Sequence, residues 1–528
     1  MDHRSPADHP GDLPTPVRQT PHSSQRHLEA AISMTTFSKK VLAVAITSAI
    51  MVPTAQACTA VAVGKNASAS GALIIARNED FSINNWAKHM VVHPRQTIED
   101  GTLWTLSNGL KVPAPEIAYR YTSIADWDAY QDSNDGKVFE ERGVNEYNVA
   151  MSSTTSAEVN DKAKAADPLV ETGIIEEVMP TLILPQAKSA REAVQLLGHY
   201  VEQYGAGEGN GIQFSDKDEI WYMEIGSGHH WMAVRVPDDQ YLIMANGLRI
   251  HGVDLNDKQN VMASRGVYDF VKKHNLLKNP DRKSFNFAKA FGVINDPYNI
   301  DREWLGQQLL TPSIKQKPRQ AQYPLFMKPD EKISVLDVAK VLRADYKGTA
   351  LEGKSERPIG IDRQAESHII EMYPDMPKEL SAVIWQTVGT VEDTAFVPIF
   401  NAMDEIPPAY TVGTDQYDDQ SAWWTYRSLG TLTNKHVMDG KYAPVVRSVW
   451  DQVEGQYVNS QPYINSMLKI MYKQDPAMAI QFANDYSNGL LSRTLDKART
   501  LKSQLMTDLT RSTEKKYSPE EFEKIKNL

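Results

Sequence analysis

Cys58 is the only cysteine in the 528-residue chain, and it directly follows an export-signal pattern. That pattern opens at Met34, passes through Lys39-Lys40 and an apolar run from Val41 to Val52, and closes on Pro53-Thr54-Ala55-Gln56-Ala57. These are a basic n-region, an h-region and a small-residue cleavage site. Cleavage after Ala57 makes Cys58 the first mature residue, with a thiol and a free α-amine on one residue, and so a candidate nucleophile. A single cysteine also allows no internal disulfide, so stability must come from the core, and it provides no thiolate set for zinc or an iron–sulfur cluster.

A competing reading is a lipoprotein, which also begins at a cysteine after an apolar export segment, there to be acylated. The usual lipoprotein box carries Leu three residues before the cysteine and a small residue next; this chain has Ala55 and the bulky Gln56. Residues 1–33 are rich in Pro, His, Asp and Ser without an apolar period, so they are expected to be a disordered extension or a mis-assigned start, with translation opening at Met34.

From Cys58 onward about 470 residues remain, enough to bury a large core. With a formal net charge of −11 and no later apolar run of bilayer-spanning length, neither nucleic acid nor an anionic membrane surface is an expected partner, and no transmembrane anchor is expected in the mature form. The composition leaves room for a homo-oligomer.

Cys-Thr-Ala-Val-Ala-Val, a polar turn from Gly64 to Gly71, and Ala-Leu-Ile-Ile-Ala predict a hairpin with Cys58 starting its edge. The returning strand ends in Arg77-Asn78-Glu79-Asp80, which brings Arg77 and Asp80 back beside the thiol and amine, since antiparallel partners lie about 5 Å apart. Val144 to Met151 reads as a turn feeding a strand, followed by the hydroxyl-rich Ser152-Ser153-Thr154-Thr155. Ser189 and Glu192 predict a capped helix running to Tyr204, and Gly205 to Gly211 a flexible loop. Four strands between Gly211 and Asn246 predict an antiparallel meander. Beyond about residue 310 helices are expected to dominate, among them one after Ser334 and others between about 443 and 510.

Amide hydrolysis by a thiol needs a thiolate, a proton carrier for the leaving amine and donors for the oxyanion. An N-terminal cysteine supplies the first two, because an α-amine titrates near pH 8. Arg77 would favour thiolate over thiol and Asp80 would hold the amine; without Cys58 the same two residues would read as a surface ion pair.

Cys58-Thr59, Arg77-Asn-Glu-Asp80, Gly228-His-His-Trp231, Ala245-Asn246, Ala263-Ser-Arg265 and Ala422-Trp-Trp424 together resemble the cysteine-type dipeptidase A family of N-terminal-nucleophile hydrolases, related to penicillin V acylases and bile salt hydrolases. The resemblance runs from Cys58 to roughly residue 500. It implies an α+β fold, an αββα sandwich of two antiparallel sheets with a helical C-terminal elaboration, and cofactor-free dipeptide hydrolysis. By position it makes Cys58 the nucleophile, Arg77 and Asp80 its support, Asn246 an oxyanion donor and Arg265 a second active-site arginine. Where the acylases complete the oxyanion hole with asparagine, this chain offers Ser153, Thr154 and Thr155.

Adjacent His229 and His230 point to opposite faces of a strand and are not expected to share a metal. His368 reads as a structural histidine beside Glu366. Glu79, Glu140 and Glu141 read as solvated carboxylates, with pairing to a dipeptide's ammonium as the alternative. The expected protein is therefore a periplasmic or secreted cysteine dipeptidase with dipeptides as its partners, the alternatives being an acylase or a lipid-anchored binding protein.

Overall fold

The computed structural model describes residues 58–80, 87–127, 140–513 and 518–526, and of Ser153, Thr154 and Thr155 the backbone alone. The expected extension over 1–33 and signal peptide over 34–57 lie outside these residues. No helix among the described residues is long and apolar enough to cross a membrane.

The strands in chain order begin with β1 (Thr59–Val63), β2 (Leu73–Asp80), β3 (Lys88–His93) and two short ribbons, β4 (Gln96–Thr97) with β7 (Ile117–Ala118) and β5 (Leu103–Thr105) with β6 (Lys111–Pro113). Then come β8 (Tyr121–Asp126), β9 (Glu140–Asn145), β10 (Ala150–Ala157), β11 (Gly209–Ser215), β12 (Ile220–Ile225), β13 (Trp231–Arg235), β14 (Tyr241–Met244) and β15 (Val261–Ala263). The last three are β16 (Gln364–Met372), β17 (Ala382–Val388) and β18 (Val397–Phe400). One six-stranded sheet has the order β14-β1-β2-β16-β17-β18, and an eight-stranded sheet the order β15-β13-β12-β11-β10-β9-β8-β3. Their ladders are antiparallel throughout.

Both faces of each sheet are covered, and the period-two alternation of side chains sorts the residues between layers. Ala60 and Ala62 of β1, Ile75 of β2, Tyr222 of β12 and Met232 of β13 share the core between the sheets. Val61, Val63, Ile74 and Ala76 point the other way, against helices Pro297–Leu310 and Val335–Leu342. On the far side, Ile212, Phe214, Trp221 and Met223 pack against helix Ala190–Tyr204. The result is the expected α+β sandwich, helix over sheet over sheet over helix, extended by the long antiparallel helices Ala443–Gln474 and Pro476–Ser512.

Helix Ala190–Tyr204 starts as predicted, with Ser189 Oγ accepting from the Glu192 N–H at 3.1 Å. Its Gly198 lies so close to the indole of Trp231 that an added Cβ would stand 2.2 Å from the ring. We expect Gly198→Ala to cost about 1–3 kcal/mol despite its better helix propensity, because a rigid ring in a packed layer cannot retreat. A thermal melt checks this; an unchanged midpoint would mean that the layer is looser than drawn.

Three expectations are corrected. Only β11, β12 and β13 form the meander. The segment from Val236 to Gln240 carries β14 into the other sheet, where Met244 pairs with Ala60. Gly205 to Gly211 is no flexible loop: Ile174 N–H donates to Gly205 O at 2.9 Å, Ala206 N–H to Gly228 O at 2.7 Å, and Gly209 opens β11. Finally, β16, β17 and β18 interrupt the expected helical half and complete the six-stranded sheet.

Candidate active site

β1 is an inner strand, not an edge, so Cys58 at its head is flanked on both sides. On one side β2 pairs Thr59 with Asn78 and Ala60 with Arg77; on the other, β14 runs into Ala245 and Asn246. Alternation sends Arg77 inward with Ile75, and Asn78 and Asp80 outward with Ile74 and Ala76. Arg77 and Asp80 therefore lie on opposite faces of β2, with Arg77 on the side of the thiol.

Arg77 Nη2 lies 2.9 Å from Cys58 Sγ and donates to Glu176 Oε1 at 2.8 Å and to Glu141 Oε2. Cys58, Arg77 and Asp80 are fully buried, which removes the reading of a surface ion pair. Burial pushes the thiol well above its usual range; Arg77 opposes this, while Glu176, Glu141 and Asp80 add to it. Burial and the neighbouring carboxylates thus oppose the thiolate, and Arg77 is the group that favours it.

Asp80 Oδ2 accepts from Arg357 Nη2, while its buried Oδ1 has no hydrogen-bond partner among the described residues. Burial raises the Asp80 pKa against the pull of Arg357 and Arg302.

Arg302, from helix Pro297–Leu310, closes the site from above. Nη1 donates to Cys58 O at 2.6 Å and Thr59 Oγ1 at 2.9 Å, and Nη2 donates to Asn246 Oδ1 and Asn299 Oδ1, each at 2.8 Å. This clamp fixes the Asn246 carboxamide, since a guanidinium must face Oδ1 and so turns Nδ2 the other way. Burial brings the Arg302 pKa down to about 10, still cationic at neutral pH.

Arg265 is not brought to this site. It is exposed just past β15, and none of the described hydrogen bonds or ion pairs joins it to Cys58; Arg302 occupies the position by the nucleophile that sequence reasoning gave to Arg265. We expect Arg265→Ala to leave kcat/KM within about twofold of wild type, as an exposed substitution away from the site should. A loss of a hundredfold would restore Arg265 to the site.

His229 Nδ1 pairs with Asp167 Oδ1 at 2.8 Å and His230 Nδ1 with Ser264 Oγ at 2.9 Å, separate partners for the two rings. His368 is buried between Glu366 Oε1 at 2.9 Å and Ser152 Oγ at 3.1 Å. Glu79, Glu140 and Glu141 are not solvated: Glu79 holds Lys88 at 2.6 Å, Glu140 holds His93 at 3.0 Å, and Glu141 holds Arg77. The side chains of Ser153, Thr154 and Thr155 lie outside the description.

A family model described as peptidase family C69 matches residues 57–449. The chain belongs to peptidase family C69. A probable dipeptidase of Latilactobacillus sakei is 37% identical over 401 residues, covering 74% of this chain and 83% of that protein. Probable dipeptidase B of Streptococcus pyogenes serotype M1 is 31% identical over 475 residues, 86% of this chain and 93% of its own. The crystal structure of a mutant conjugated bile acid hydrolase from Clostridium perfringens aligns with 65% of this chain and 92% of that chain, at 13% identity and a TM-score of 0.26. As a C69 member the protein is a cysteine peptidase, and Cys58 is its only cysteine.

Sequence reasoning missed Arg302, Arg357, Glu176 and Glu208. One signal was present: Asp301, Arg302 and Glu303 are consecutive charges on a helix that is buried on nearly every side, where an ordinary amphipathic helix would keep a polar face.

Proposed function

We propose that the protein is an exported dipeptidase that works through an acyl-enzyme on a mature N-terminal Cys58. The observation that carries this is the Cys58 thiol packed 2.9 Å from the Arg77 guanidinium at the head of an inner strand. The α-amine freed by cleavage after Ala57 takes the thiol proton, and the thiolate then attacks the carbonyl carbon of the peptide bond. Asn246 Nδ2 donates to the resulting oxyanion. The ammonium returns its proton to the leaving amine as the C–N bond breaks, leaving a thioester and a free C-terminal amino acid. Water, deprotonated by the same amine, cleaves the thioester and restores the thiol. Asp80 Oδ1 accepts from the α-amine and orients its lone pair, in keeping with the absence of any other hydrogen-bond partner for that oxygen among the described residues.

The direct test is hydrolysis of unblocked dipeptides against penicillin V and conjugated bile salts; turnover confined to the latter two would replace dipeptidase by acylase. Mass spectrometry of the mature N-terminus tests both export and the free amine, since an acylated Cys58 cannot perform this chemistry. Thiol alkylation is expected to abolish activity and chelation to spare it, because each step uses protein groups. Activity lost to EDTA and regained with zinc would contradict the mechanism.

Asp80→Asn is expected to lower turnover about a hundredfold or more by releasing the amine. A change in melting temperature alone would reduce Asp80 to an ion-pair partner of Arg357.

A further inference from the structure

Beside the thiol lies an excess of carboxylate that the mechanism does not use. Glu141 and Glu176 share Arg77. Glu177 follows in sequence, and Glu208 Oε1 accepts the Glu176 N–H at 2.7 Å. Neither Glu177 nor Glu208 has an ion-pair partner among the described residues, while Lys88 pairs with Glu79 and Asp126. Arg77 therefore faces two of these carboxylates directly, and Glu177 and Glu208 have no cation of their own among the described residues. Burial raises Glu177 to about 8 and Glu208 to about 7, the values of carboxylates still lacking a cation. Both side chains are only half-buried, so the cluster is open on their side.

Asn210 adds an independent sign. It is fully buried on β11, and its Nδ2 donates to Glu208 Oε1 at 3.0 Å, yet its Oδ1 meets no donor among the described residues. An acceptor left empty next to uncompensated carboxylates calls for a ligand that is both cationic and rich in N–H donors. The carboxylates are not grouped as a metal ion would need among the described residues.

Glu208 and Asn210 join the thiol's surroundings through Glu176, whose N–H donates to Glu208 and whose carboxylate shares Arg77 with the sulfur. Sγ and Glu176 Oε1 are both bonded to Arg77 Nη2, so they lie within two hydrogen-bond lengths of each other. In a dipeptide the α-nitrogen is two bonds, about 2.5 Å, from the carbonyl carbon that the thiol attacks.

We propose that Glu177, Glu208 and the Asn210 carboxamide form the subsite that receives the substrate's α-ammonium, restricting cleavage to the bond after a free N-terminal residue. The subsite deepens the dipeptidase reading and rests on it for the identity of the substrate.

The test separates binding from turnover by using mature Cys58→Ala protein and calorimetry with Ala-Ala, N-acetyl-Ala-Ala and alaninamide. Acetylation is expected to weaken binding about ten- to a hundredfold, the scale of a charge-assisted hydrogen bond, and Glu177→Gln with Glu208→Gln to erase that difference. Gln at position 208 keeps an oxygen for the Glu176 N–H; should the double variant melt early, Glu177→Gln alone carries the measurement. In the wild-type enzyme the same substitutions are expected to raise KM for Ala-Ala with kcat within about threefold, which a purely structural defect would not do. Equal affinity for free and acetylated ligands overturns the subsite whatever the wild type hydrolyses. If no dipeptide is hydrolysed but alaninamide still binds in a Glu177- and Glu208-dependent way, the dipeptidase reading falls and the subsite stands.

Discussion

Cys58→Ala is expected to abolish turnover while the protein still folds. The thiol is buried, but its layer already contains Ala60 and Ala62, and Arg77 keeps Glu141 and Glu176 when the sulfur is lost. The stability cost should stay near 1 kcal/mol, the loss of a single buried group. Cys58→Ser should retain only a trace of activity, because a hydroxyl ionises far less readily than a thiol. Parallel assays of dipeptide turnover and thermal melting read both effects, and near-normal activity in the alanine variant would remove Cys58 from the chemistry.

A mature protein that retains one uncleavable residue ahead of Cys58 is expected to fold and yet be inactive, by a thousandfold or more on the scale of general acid–base catalysis. The extra peptide bond takes away the basic lone pair, while Glu141 and Glu176 are paired with Arg77 and His368 is held by Glu366 and Ser152, where burial lowers its pKa. Arg77, Asp80 and Asn246 are all unchanged in this variant, so the loss reports the amine together with the obstruction by the added residue. Intact mass confirms the added residue before the assay. Substantial turnover would sink the amine as base and leave the thiol nucleophile standing.

These two predictions draw on the part of the site that was legible in the sequence. Cys58, Arg77 and Asp80 fall on one hairpin, where strand alternation and a short turn determine who meets whom. Asn246 was placed correctly at the end of β14 although the strand itself was assigned to the wrong sheet, because hydrophobic pattern marks a strand without naming its neighbour. The arginine clamp was not legible. Arg302 reaches Cys58 and Arg357 reaches Asp80 from far along the chain, and nothing local distinguishes them from Arg265, a residue of the same type that turned out to face solvent. The acidic cluster failed for a related reason: Glu141 looks like any surface carboxylate until the fold buries it on Arg77. β16, with Glu366, His368 and Glu371 buried in its middle, departs from the simple polar-out pattern that marks a strand half exposed to water.

The inner position of β1 also sets an order of events. A chain emerging from its N-terminal end presents Cys58 and the β1–β2 hairpin first, but the Cys58 carbonyl waits for an arginine 244 positions later and Asp80 for one 277 positions later. Contacts so distant in sequence carry a large loop-closure cost. A truncated chain that ends before Arg302 and Arg357 therefore holds Cys58 and Asp80 without their guanidinium partners, and hydrolytic activity reports that these distant segments have closed around Cys58.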